Sequence, residues 1–184
     1  MYDNWYQEPK EGNIDLDIKY YQSHSGRKSL LLVAAVVNTY KNCNSIIDVG
    51  CRSAGLLSRI GDDYKHRIAT DIYPPKFLGF SLEQGKFTHG DFLNLSFDKM
   101  DVVVCLETLE HIRPDLRIAF ANKLYDLAIK HLIVSIPYKW KNSTEPVPHN
   151  DLDEVDLLSW FYPYVPDREE FCQGHYITFF DKEK

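Results

Sequence analysis

Acidic residues in this chain recur where apolar runs stop, which is where a strand-built fold gathers its chemistry. The first case is Ser45-Ile-Ile-Asp48-Val-Gly50-Cys-Arg52-Ser-Ala54-Gly55. An apolar strand ends in a carboxylate and passes through a glycine-bearing turn into another apolar stretch. Glycine in such a turn lets backbone approach a ligand closely. The carboxylate can hold an ammonium group or order the loop, and an ordinary tight turn would look the same. Asp71 closes the next strand, where a carboxylate can accept hydrogen bonds from both hydroxyls of a ribose or cap a turn. Gly90-Asp91-Phe92 follows a third short strand. A carboxylate beside an aromatic ring suits an adenine, one group for its amino edge and one for its face; the alternative is a turn with a core phenylalanine.

A fourth run, Asp101-Val-Val-Val-Cys-Leu106, is followed by Glu107, Thr108, Glu110 and His111. These side chains fall at the mouth of any cleft beyond the strand end. His149 lies in the loop after the fifth strand. Glu110, His111 and His149 are the candidate proton acceptors, since a histidine titrates near neutrality and a placed base removes a proton from a reacting hydroxyl. Glu107, Glu110, His111 and His149 together could also hold a divalent cation that binds adjacent hydroxyls. We expect the site to work without a metal.

The elements that must position these groups alternate between strand and helix. Ser29–Tyr40 reads as a helix, Ser45–Val49 as a strand, Ser53–Ile60 as a helix stopping near Gly61, and Arg67–Ile72 as a strand. Lys86–His89 is a short third strand. Asp101–Leu106, apolar throughout, has the pattern of a strand buried on both faces. A helix opens at Pro114, where proline suits the first helical position, and His131–Ile136 is the fifth strand. Asp151 and Glu154 resemble a capping box for a further helix, and two short strands flank Gln173-Gly174. This alternation predicts an α/β fold, a doubly wound, mainly parallel sheet with helices on both faces and an antiparallel C-terminal hairpin. Ligands of such sheets sit beyond the carboxyl ends of the strands.

Composition narrows the class. The 184 residues are 44% hydrophobic and 26% charged, a globular profile suited to a single domain over 29–184. Residues 1–28 are polar and tyrosine-rich and read as an N-terminal arm or lid. The net charge of −6 disfavours bulk gripping of nucleic acid, which calls for a basic surface; a small-molecule partner is expected. Four cysteines form no C-x-x-C pair, which disfavours a zinc ribbon or thioredoxin-like site and fits a reducing cytoplasm. The chain opens on polar and aromatic residues, and its longest apolar run, Leu30–Val37, is far too short to span a bilayer. A cytoplasmic protein with no membrane partner is the expectation.

In order and spacing, DVGC-x-S-x-x-L, T-D, GDF, DVVVCLETLEHI and LIVSIPY resemble the class I, Rossmann-like S-adenosylmethionine-dependent methyltransferases. The resemblance covers about residues 29–140 by motif and the rest by element order. It implies a seven-stranded sheet with an antiparallel last strand, and S-adenosyl-L-methionine as cofactor. The cofactor would lie over Asp48, Gly50, Arg52 and Ala54, with its ribose at Asp71 and Ile72 and its adenine near Asp91 and Phe92. Glu107 and Thr108 would line its methionine side.

The chain departs from the family pattern at Arg52 and Ala54, which stand where that loop carries glycine. E-x-x-E-H with a distal histidine also resembles small-RNA terminal 2′-O-methyltransferases, which use a metal. The HNDLDEVDLLSWF segment is similar to the tail of small bacterial methyltransferases found with carbohydrate or secondary-metabolite pathways. A small polar acceptor, such as a sugar or metabolite hydroxyl, is the leading expectation. The competing readings are a catalytically weak or inactive methyltransferase-like binding subunit, the metal-dependent RNA enzyme, and a nicotinamide-dependent dehydrogenase, whose G-x-G-x-x-G pattern Arg52 breaks.

Overall fold

The computed structural model describes residues 28–74, 78–81, 83–141 and 151–184. The expected arm, apart from its last residue, and His149 lie outside the described residues. Seven strands form one sheet: β1 (Ser45–Val49), β2 (His66–Asp71), β3 (Lys86–His89), β4 (Met100–Leu106), β5 (Ala128–Pro137), β6 (Arg168–Cys172) and β7 (His175–Asp181). Their spatial order is β3-β2-β1-β4-β5-β7-β6. The first five strands pair in parallel, while β7 is antiparallel to both β5 and β6. The expected doubly wound, mainly parallel sheet with its C-terminal hairpin is therefore the observed one.

Alternation along the central strands explains the two cores. Val102 and Val104 of β4 join Ile46, Ala69 and Ile133 on the face covered by α1 (Lys28–Val37). Val103 and Cys105 join Ile47, Leu132 and Val134 on the face covered by α2 (Arg117–Leu127) and α3 (Glu154–Phe161). Because both faces are covered, the strands read as continuous apolar runs. The Lys28 amide, at the start of α1, donates to Gln173 Oε1 at 2.9 Å, so the β6–β7 turn caps that helix across the fold.

Two local expectations are corrected. Residues 53–60 form tight turns and a short 3₁₀ helix at Leu57–Arg59, not an α-helix. Arg52 and Ala54 hold left-handed backbones, with φ of 50° and 54°, so no α-helical nucleus forms there, and nucleation is the costly step. The buried Arg67 guanidinium secures this stretch and the turn after it, donating to the Leu57, Gly61 and Tyr64 carbonyls at 2.8–3.3 Å. The capping box of α3 is made by Asp153 and Asp156, not by Asp151 and Glu154. Asp153 is extended and its Oδ1 accepts the Val155 and Asp156 amides, while Asp156 Oδ2 accepts the Asp153 amide at 3.0 Å. Asp151 instead is left-handed, with φ of 59°, and donates its amide to the Trp140 carbonyl.

Candidate functional site

Successive strands are laid outward from β1 on one side and from β4 on the other, so the winding order switches between these two parallel strands, the point where ligands of open α/β sheets bind. The two strand ends there carry Asp48 with the loop to Ala54, and Glu107 with Thr108. Gly50 needs to be glycine: its φ is +72°, and a β-carbon on it would overlap the Thr108 side chain. Its amide donates to the Thr70 carbonyl at 2.8 Å, tying the loop to β2. The positions where the resembled family has glycine, Arg52 and Ala54, keep glycine-like left-handed backbones at a cost of about 1–2 kcal/mol each. That cost is met by bracing: Arg52 N–H donates to Asp71 Oδ2 at 2.7 Å, Ala54 N–H to the Cys51 carbonyl at 2.7 Å, and Gly79 N–H to the Ser53 carbonyl at 2.7 Å.

Asp48 is almost fully enclosed, and burial, helped by the nearby Asp71 charge, pushes its carboxyl up to about 7. Asp71 accepts the Tyr73 amide on Oδ1 at 2.9 Å as well as the Arg52 amide on Oδ2. Burial raises its carboxyl and these amides pull it back. Each of its oxygens keeps a second lone pair for another donor. Ile72 follows it, with its carbonyl 3.0 Å from His89 Nε2.

Glu107 is held from three sides. Its backbone is left-handed, φ 53°, and its amide donates to the Ser135 carbonyl at 3.1 Å. Oε1 accepts the Ser135 hydroxyl at 2.7 Å, and Oε2 lies 2.7 Å from His175 Nδ1. Thr108 Oγ1 donates to the Leu106 carbonyl at 3.1 Å. Glu110 turns inward and is buried, which raises its carboxyl strongly; the Glu107 charge adds to the effect. Its Oε1 lies 3.7 Å from Nε2 of the half-exposed His111.

Asp91 organises its own turn, accepting the Leu93 amide on Oδ1 at 3.0 Å and the Asn94 side-chain amide on Oδ2 at 2.8 Å. The Phe92 ring does not face the cleft as a stacking surface. It is 5% exposed and packs in the core 4.9 Å from the Phe120 ring, leaving its backbone for any contact at that point. Its carbonyl accepts from Lys123 Nζ at 2.6 Å.

Between these elements opens a cleft walled by Leu30 and Val33 of α1, the loop from Gly50 to Leu56, Glu107, Ser135 of β5 and Ile177 of β7. It brings together Asp48, Gly50, Arg52 and Glu107 of the expected set. Ser135 and His175 were not expected. Both come to Glu107 through strand pairing of β4 with β5 and β5 with β7. The only sequence signal was the position of His175 just after the Gln173-Gly174 turn.

No family model matches the chain. It is similar to the carboxy-S-adenosyl-L-methionine synthase of Wolinella succinogenes, 31% identical over 103 residues, covering 50% of this chain and 42% of that protein. The chain thus spans less than half the length of that relative. Among solved structures, it is similar to magnesium protoporphyrin IX methyltransferase from Synechocystis with bound S-adenosylmethionine, with 20% identity over 97% of this chain and 89% of that one and a TM-score of 0.66. It is also similar to the N-methyltransferase NodS from Bradyrhizobium japonicum in complex with S-adenosyl-L-homocysteine, with 10% identity over 91% and 99% of the two chains and a TM-score of 0.68. The fold is that of the class I, Rossmann-like methyltransferases. No helix among the described residues is long and apolar enough to cross a membrane.

Proposed function

We propose that the chain is an S-adenosylmethionine-dependent methyltransferase acting on a small polar acceptor, with a sugar or metabolite hydroxyl as the leading class. One observation carries the reading: at Gly50, Arg52 and Ala54 the loop keeps the left-handed backbone of a glycine-rich cofactor loop although Arg52 and Ala54 are not glycine. Strain of this kind persists where surrounding structure over-determines it, and it clusters at functional sites.

The residues present fit the cofactor. Asp48 and Glu107 line the cleft beside the loop, and Asp71 braces that loop, a donor and charge set suited to a molecule carrying ribose hydroxyls, an ammonium group and a sulfonium cation. Asp48 orders the loop and offers charge to the ammonium, and the backbone of Gly50, Arg52 and Ala54 makes the close approach. Asp71 and Ile72 take the ribose, Asp91 with the Phe92 backbone the adenine, and Glu107 and Thr108 the methionine side. When bound, the cofactor supplies an electrophilic methyl group. The chain's own work is to hold the acceptor in line, to exclude water and to accept a proton. His111, beside Glu110, and His149 are the candidates for that proton that their placement along the chain supplies.

The test is transfer of isotope-labelled methyl from S-adenosylmethionine to panels of sugars, phenols, amines, nucleotides and RNA 3′ ends. Label in a small hydroxyl compound supports the reading, whereas label in none of the panels sinks the enzyme and leaves a binding subunit. Each panel is run with and without chelator. Activity lost on chelation and restored by magnesium or manganese would make Glu107, Glu110, His111 and His149 a metal set and favour the RNA-directed reading.

A further inference from the structure

The assignments above give no role to His175, the partner of Glu107. His175 opens β7 opposite Pro137 of β5, two residues before Ile177, which pairs with Ser135 and lines the cleft. Side chains alternate along a strand, so His175 stands on the same face as Ile177 and Ser135, one step nearer the carboxyl end of β5. Its ring is almost enclosed, with Nδ1 2.7 Å from Glu107 Oε2. The two atoms are within hydrogen-bond reach but not aligned as a hydrogen bond, as catalytic contacts often are until a ligand tightens them. Glu107 itself is fixed by the Ser135 hydroxyl and carbonyl in a backbone conformation that a β-carbon disfavours.

A carboxylate on one imidazole nitrogen does two things. It favours the proton on that nitrogen, leaving a lone pair on the other, and it stabilises the imidazolium once a second proton arrives. We propose that His175, oriented through Nδ1 by Glu107, presents Nε2 to the acceptor side of the cleft and is the proton acceptor of the reaction. This rests on the methyltransferase reading and deepens it, naming an acceptor that must lose a proton from oxygen or nitrogen. As the acceptor's O–H or N–H proton passes to Nε2, the pair it leaves forms the bond to the methyl carbon. The carbon–sulfur bond breaks with its electrons on sulfur. The positive charge of the sulfonium is thus replaced by that of the imidazolium, beside the Glu107 carboxylate. Ser135 is a positioning residue that keeps Glu107 turned toward the ring.

Nitrogen-15 NMR of histidine-labelled protein reads the tautomer directly and needs no acceptor. His175 is expected as the Nδ1–H tautomer in the wild type, with that preference lost in Glu107→Gln and weakened in Ser135→Ala. Diethyl pyrocarbonate, mapped by mass spectrometry, is expected to modify His175 at Nε2 and to be blocked by S-adenosylhomocysteine. With the acceptor found in the labelled-methyl screen, His175→Gln is expected to lose about a hundredfold or more in kcat with cofactor affinity within about twofold, whereas His66→Gln, at the exposed start of β2, keeps its kcat. An Nε2–H tautomer, or a His175 that stays unmodified in the folded protein, overturns the proposal. Should S-adenosylhomocysteine bind while His175 fails these tests, only the proton acceptor is wrong. Should it not bind, the methyltransferase reading fails independently of the tautomer.

Discussion

The amide of Arg52 donates to the Asp71 carboxylate at 2.7 Å, so the loop after β1 and the acid at the end of β2 are one unit. Asp71 therefore has two tasks, bracing the loop and meeting a ribose. Asp71→Ala is expected to lower the melting temperature and to weaken S-adenosylhomocysteine binding by about 1–3 kcal/mol, the range for charge-assisted hydrogen bonds. Asp71→Asn, which keeps one acceptor oxygen, should fall between it and the wild type. Calorimetric affinity unchanged in Asp71→Ala would remove this residue from the ligand.

Glycine exchanges in the same loop should go in different directions. Gly50→Ala places a β-carbon on a backbone of φ +72° and into Thr108. It should cost more than about 2 kcal/mol in denaturant unfolding, combining overpacking with left-handed strain. Ala54→Gly relieves about 1–2 kcal/mol of left-handed strain but gives up a buried methyl and adds chain entropy, roughly 0.8 and 0.5–1 kcal/mol. Its net effect should stay within about 1 kcal/mol. Similar losses for both variants would show that φ at these positions does not govern the loop.

Acidity should register at Asp48. Its folded carboxyl, pushed up to about 7, exceeds an unfolded value of about 3.9. Between those values the folded state binds the extra proton. The contribution of Asp48 is then fully stabilising below about pH 4 and is lost as pH rises through about 7. Asp71 and Glu110 shift in the same direction. Urea unfolding across this range should show stability falling with pH, and Asp48→Asn should flatten part of the slope, by an amount of order a few kcal/mol. An unchanged slope in Asp48→Asn would show that Asp48 is already ionised when folded.

Strands were the legible part of the fold. Ile46–Val49 and Val102–Cys105 are enclosed on both faces, so their apolar runs mark them without any knowledge of partners. The stretch after Arg52 was not legible. Its apolar spacing suits a helix, but the backbone angles at Arg52 and Ala54 are set by contacts with Asp71 and within the loop that no local pattern records. The α3 cap was misread by two residues because Asp151, Asp153, Glu154 and Asp156 offer several acidic pairs in similar spacing. At the site, Asp48, Gly50 and Glu107 were visible as strand-end residues. Ser135 and His175 were not, because they reach Glu107 only through the register of β5 and β7. For Phe92 the sequence left two outcomes open, a ligand-facing ring or a core ring, and packing against Phe120 decided for the core.

The central claim is that this cleft binds S-adenosylmethionine. Isothermal titration of the full chain with S-adenosyl-L-homocysteine and with S-adenosyl-L-methionine tests it most directly, with nicotinamide adenine dinucleotide as the control. The account predicts saturable one-to-one binding of both sulfur compounds, weakened in Asp71→Ala, and no binding of the dinucleotide. Absence of binding to either sulfur compound at millimolar concentration, with the protein folded, would contradict it.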